Sequence, residues 1–149
     1  RHTRVDPWPR TNRASGVSMS GSAETQDCPT VPRHEGKCFL VICRDAPGQS
    51  DLRETHLGGH LAHVEANWTR YLTAGPIRIP GEKALVGSIF LVFADDLQAA
   101  KTLMEGDPYV TSGLYGSVEY LENTLSIGQF IGGKIWPNAE AIAHLAKGG

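Results

Sequence analysis

Residues 86–109 read VGSIFLVFADDLQAAKTLMEGDPY, the stretch whose reading decides the fold. Val86–Phe93, rich in β-branched and aromatic residues, is the clearest strand. Asp95 then stands where a helix N-cap would, and Gln98 follows in capping-box spacing, so a helix is predicted to start there. It ends at Gly106. Asp107-Pro108 starts a turn, because a residue before proline avoids helical backbone geometry.

Upstream, Cys38–Cys43 is a second apolar strand, closed by the turn formers Asp45, Pro47 and Gly48. Ser50 or Asp51 can cap a helix running to about Leu72. At 100° per residue, Leu57, Leu61, Val64, Trp68 and Tyr71 fall in one arc of roughly 80°, opposite Glu65, Thr69 and Arg70. That pattern predicts an amphipathic helix with Trp68 and Tyr71 in the core, weakened by Gly58 and Gly59. Gly75-Pro76 breaks it into an extended segment, Ile77–Ile79, and Pro80-Gly81 turns the chain into Val86–Phe93. Downstream, a short Val110–Leu114 turn leads to a last strand near Ser117–Leu121. The order is β-α-β-β-α-β, the ferredoxin-like α+β plan: an antiparallel four-stranded sheet with two helices on one face.

Both strands in the middle of this plan are apolar on both faces. Phe39, Val41 and Cys43 alternate with Cys38, Leu40 and Ile42, while Phe90 and Val92 oppose Ile89, Leu91 and Phe93. A sheet with one wet face alternates apolar with polar; this one does not. Two helices cover only one face, so a second copy of the sheet is the economical cover for the other, and a homodimer is expected.

The flanks differ. Residues 1–36 are rich in Ser, Thr, Pro, Arg and Gly without periodicity, which predicts a disordered or tag-like extension, with Met19 a plausible natural start. Residues 37–122 form the predicted domain and 123–149 a C-terminal extension. In that extension Pro137-Asn138 can start a short helix through Ala146, and Phe130 and Trp136 would anchor it.

A formal charge of −2 and a pI near 6.3 argue against nonspecific nucleic-acid binding, which needs a basic excess. No apolar run has the length of a membrane-spanning helix. Three cysteines, Cys28, Cys38 and Cys43, are too few and too irregular for a disulfide framework or zinc site. The natural reading is a reducing, cytoplasmic setting.

Several short motifs carry a resemblance. They are Gly59-His60-Leu61, Leu72-Thr73-Ala74-Gly75-Pro76, Gly87-Ser88, and Asp107-Pro108-Tyr109-Val110 with Gly113-Leu114-Tyr115 behind it. In this order, over about Cys38 to Glu122, they resemble the YCII-related family. That resemblance implies a ferredoxin-like fold, dimerisation into an α/β barrel, and a pocket holding a His–Asp pair, here His60 and Asp107. It departs at Leu57, where family members commonly carry an arginine. Arg53, about 20° from His60 around a continuous helix, could present a cation on the same face.

An imidazole takes and returns a proton near neutral pH, and a carboxylate on one ring nitrogen fixes its tautomer. His60 and Asp107 are therefore the candidate catalytic pair, with a boundary histidine and a turn former as the plain alternative. Arg53, Ser88 and Tyr109 are candidate substrate contacts; Ser88 lacks the Gly-x-Ser-x-Gly setting of a nucleophile. Tyr109 and Tyr115 either line the pocket or pack. His56, His60 and His63 share one side of the helix, but without a His-Glu-x-x-His pattern they read as solvated histidines rather than metal ligands. No cofactor is expected, since no nucleotide, flavin or metal motif stands in the chain. The resulting expectation is a cofactor-independent lyase or isomerase moving a proton on a small ring-derived acid or phenol. The alternatives are a noncatalytic ligand-binding or accessory dimer for a pathway enzyme, and a metal-dependent oxygenase built on the histidine trio.

Overall fold

The computed structural model describes residues 34–131 and 133–134. Four strands, β1 (Cys38–Asp45), β2 (Tyr71–Ile77), β3 (Gly87–Phe93) and β4 (Tyr115–Asn123), form one sheet in the order β2-β3-β1-β4. Every neighbouring pair is antiparallel. Helices α1 (Asp51–Thr55) and α2 (Leu57–Ala66) join β1 to β2, and α3 (Leu97–Glu105) with the one-turn α4 (Pro108–Thr111) joins β3 to β4. This is the ferredoxin-like α+β plan. The helix predicted over residues 137–146, and Trp136, lie outside the described residues.

Strand alternation sorts the side chains. Phe39, Val41 and Cys43 of β1 and Phe90 and Val92 of β3 face the helices, where Ala100, Leu103 and Met104 of α3 close over them. Those three α3 residues are spaced i, i+3, i+4, the stripe that one helix face presents to a sheet. Each large apolar side chain buried this way contributes on the order of 1.5–3 kcal/mol. The opposite face is only partly covered. Leu125 and Ile131 pack at the end marked by Cys38, Leu72, Leu91 and Phe93, while Leu40, Ile42 and Ile89 stay half-exposed and Leu121 exposed.

The first helix is not the single rod that its periodicity predicts. It bends at His56, whose backbone (φ −103°, ψ 9°) leaves helical geometry, and α2 stops at Ala66. A 3-10 turn, Trp68–Arg70, follows, and β2 begins at Tyr71, well before the predicted Ile77–Ile79 segment. Pro76 is tolerated there because β2 is an edge strand with one side free of ladder bonds. Trp68 is 72% exposed and not in the core, whereas Tyr71 packs against it.

Asp96 rather than Asp95 caps α3. Its backbone is extended, and its carboxylate accepts the Ala99 amide at 2.8 Å. The helix begins one residue later than predicted, so Gln98 reaches Thr102 instead of closing a capping box. The last strand is longer than the predicted Ser117–Leu121. Phe130 is 75% exposed and anchors nothing among the described residues. Cys38 and Cys43 are free and buried. No helix among the described residues is long and apolar enough to cross a membrane.

Candidate active site

Asp107 does more than begin a turn. It is the N-cap of α4, and its Oδ1 accepts the Tyr109 amide at 2.9 Å. Pro108 occupies the first helical position, where its missing N–H costs nothing. With one oxygen held by its own backbone, the carboxylate is fixed in direction. Its Oδ2 then lies 2.8 Å from His60 Nδ1. Asp107 is fully buried, and the His60 side chain is largely so.

The two residues meet because α2 approaches α4 closely. A Cβ on Gly59 would sit 2.9 Å from Pro108 Cγ, so only glycine allows that spacing. Tyr109 completes the arrangement: its ring stacks on the His60 imidazole with centroids 4.0 Å apart and planes 8° from parallel. Since a carboxylate only accepts, His60 Nδ1 is the donor, and the neutral ring carries its free lone pair on Nε2.

Arg53 comes from α1. Its Nε and Nη2 donate to Asp45 Oδ2 and Oδ1, both at 2.9 Å, and Nη2 also reaches the Gly87 carbonyl at 3.0 Å. Burial pulls the guanidinium pKa down, but the Asp45 bonds more than reverse this, leaving it above the ordinary arginine value. Tyr109 is tied to the same helix by its hydroxyl, which donates to the Arg53 carbonyl at 2.8 Å. Burial raises the Tyr109 phenol pKa, with Arg53 opposing. Ser88, 5% exposed, takes the Tyr115 hydroxyl at 3.0 Å.

Arg53, His60, Ser88 and Tyr109 all line one cavity of about 530 Å³ between the α1–α2 segment and the β2–β3 half of the sheet. That volume is in the range that holds a small organic ligand. Strand register builds its floor: Ser88 pairs with Pro76 and Phe90 with Ala74, all of them cavity-lining. The apolar arc of α2 forms the roof. Leu57, Leu61 and Val64 border this hollow instead of packing into a core, which is why Leu57 and Leu61 remain 45% and 44% exposed.

All five candidate residues named from the sequence therefore come together. Two contributors were not singled out as site residues: Asp45, read as a turn former, and Tyr115, left between pocket and packing. A signal for Asp45 existed, since it lies two residues beyond Cys43 and so on the same strand face. No hydrogen bond joins Ser88 to His60 among the described residues, so no nucleophile–base pair is formed. Cys43 is fully buried, and burial, with Asp107 and Asp45 adding, pushes its thiol up to about 12 against the pull of Arg53. No cluster of potential metal ligands occurs among the described residues. His63 is half-buried rather than solvated, with Nε2 shielded and unpartnered.

The YCII-related domain model matches residues 38–124, more than half of the chain. The chain belongs to the YCII-related family. Among family relatives, an uncharacterized protein of Haemophilus influenzae is 34% identical, over 54% of this chain and 89% of that protein. Protein YciI of Escherichia coli is 29% identical with the same coverage. Among solved structures, this YCII-related chain resembles the 5-chloro-2-hydroxyhydroquinone dehydrochlorinase of Burkholderia phenoliruptrix, in complex with 2,5-dihydroxybenzoquinone. The TM-score is 0.53 at 23% identity, covering 61% of this chain and 95% of that one. At that identity the likeness establishes the shared fold.

Proposed function

We propose that this protein is a cofactor-independent lyase or isomerase that moves a proton on a small ring-derived acid or phenol. The observation that carries the reading is the 2.8 Å His60–Asp107 bond at the wall of a mostly apolar cavity. His60 Nε2 takes a proton from the substrate, and Asp107 holds the ring and stabilises the imidazolium that forms. In an isomerisation the proton returns at another atom of the substrate. In an elimination the electron pair it leaves behind expels an anionic leaving group. Arg53, Ser88 and Tyr109 contact the substrate. The dehydrochlorinase that shares the fold has a hydroxylated quinone as its ligand, which supports a ring-shaped substrate for this cavity.

We place the enzyme in the cytoplasm as a homodimer closed into an α/β barrel. The buried free thiols suit a reducing compartment, and the half-exposed apolar face formed by Leu40, Ile42, Ile89 and Leu121 suits a second sheet.

The test is turnover against a panel of hydroxylated rings and ring acids, with wild type and His60→Ala compared. The expected result is a loss of about 10²-fold or more in kcat with retained folding. Equal turnover in both forms overturns the reading. Ligand binding without turnover in either form assigns the cavity to a noncatalytic binding dimer instead.

A further inference from the structure

Ser88 is an ordinary hydroxyl that could point anywhere; its surroundings remove all directions but one. Two groups crowd its oxygen. The Tyr115 hydroxyl lies 3.0 Å away and Arg53 Nη2 lies 3.5 Å away. The two hydrogens of that Nη2 already have closer acceptors in Asp45 Oδ1 and the Gly87 carbonyl. What reaches Ser88 from Arg53 is therefore chiefly positive charge, which repels a hydroxyl proton and favours the lone pair.

The Tyr115–Ser88 bond could in principle run either way. If Ser88 donated, the Tyr115 phenol proton would be left in a buried site with no acceptor among the described residues, a costly arrangement. Tyr115 is 7% exposed, and burial raises its phenol pKa well above the ordinary value, so it stays a donor. With one lone pair taken by Tyr115, Arg53 beside the oxygen and no acceptor for its hydroxyl among the described residues, Ser88 is left to turn its proton to the cavity. Ser88 lines that cavity, whereas Tyr115 stands behind it.

We infer that Tyr115 is a positioning residue that turns Ser88 into a fixed donor facing the cavity, so that the site selects a substrate presenting an acceptor oxygen there. This rests on the proton-transfer reading and sharpens it. A ring carbonyl oxygen held by Ser88 is polarised while His60 removes a proton from a ring carbon conjugated with that carbonyl, which stabilises the enolate that develops. The proton goes to Nε2 and the electron pair to the oxygen that Ser88 holds.

A double-mutant cycle tests it, with 2,5-dihydroxybenzoquinone as the probe and its absorbance as the binding signal. Ser88→Ala is expected to weaken binding about three- to tenfold, the loss of one directed hydrogen bond. Tyr115→Phe is expected to weaken it by a few-fold in the wild-type background and not at all in Ser88→Ala. Thermal midpoints of all three variants show whether folding is retained. Additive effects would mean that Tyr115 acts by packing alone and would overturn the inference, as would unchanged binding in Ser88→Ala or no binding by wild type. Failure of the proton-transfer reading shows separately, as undiminished turnover in His60→Ala.

Discussion

Replacing Asp107 by Asn changes almost no volume, yet it should disable the site. The Asn Oδ1 can keep the Tyr109 amide bond now made at 2.9 Å, so α4 retains its cap. The side-chain amide nitrogen then falls opposite His60 Nδ1, where a carboxylate oxygen sits at 2.8 Å. Two donors cannot share that gap. The imidazole responds by moving its proton to Nε2, which turns the lone pair away from the cavity and leaves a ring unable to accept there. In hydrolytic triads a wrong tautomer costs about 10⁴ in kcat, and general-base catalysis as a whole is worth about 10²–10⁴. A fall of about 10²–10⁴ in kcat is therefore expected, about 2.7–5.5 kcal/mol of barrier. Long-range ¹⁵N correlation spectra of the His60 ring read the tautomer without any substrate: hydrogen on Nδ1 in wild type, on Nε2 in Asp107→Asn. Finding Nε2–H already in the neutral wild-type ring, or turnover within threefold of wild type in the variant, would refute the reasoning.

Three further outcomes are expected. Gly59→Ala places a methyl 2.9 Å from Pro108 Cγ, while Gly58→Ala meets nothing within 4 Å. Urea unfolding should show the first destabilised by about 1–3 kcal/mol and the second stabilised by up to about 1 kcal/mol; equal effects would remove the close α2–α4 approach as the reason for glycine at 59. Burial, with Asp107 adding and Arg70 opposing, raises the Tyr71 phenol to about 12, and burial, with Cys43 and Glu105 adding, does the same for Tyr120. A folded-state pKa above the unfolded value of about 10 means that the native state holds these protons more tightly. Their contribution is intact below pH ~10 and is lost as pH climbs toward ~12. The urea midpoint should fall across that window and fall less in Tyr71→Phe. The Cys43 thiol, also raised to about 12, should resist a thiol reagent at pH 8; labelling at the rate of a free cysteine would contradict its burial.

Tyr71 shows where periodicity misleads. Its azimuth groups it with Leu57, Leu61 and Val64 on a helix, yet it opens β2 and reaches the core from the sheet side. Helical periodicity reports which residues share a face while the chain stays helical; it does not report that the chain has stopped. The break at His56 lacks the proline or cap signal that would have announced it; before Trp68 a signal stood in Asn67, which caps α2 and whose Nδ2 donates to the His63 carbonyl at 2.8 Å. The arc itself was read correctly as apolar. What it faces is a hollow, and a residue pattern has no means of distinguishing a cavity wall from a packed core.

The sequence by itself determined the order of elements, the two apolar faces of β1 and β3, and the presence of one imidazole on a helix and one carboxylate at a turn, each directly after a glycine. Local spacing is enough for these, because strand and helix periods act within a few residues. Only the tertiary structure decided that His60 and Asp107, 47 residues apart in the chain, lie within hydrogen-bond distance. It alone decided that Arg53 is held by Asp45, and that Tyr115 stands behind Ser88. Those contacts depend on how closely α2 approaches α4 and on how β1, β3 and β4 register, which are properties of packing between distant segments rather than of any one of them.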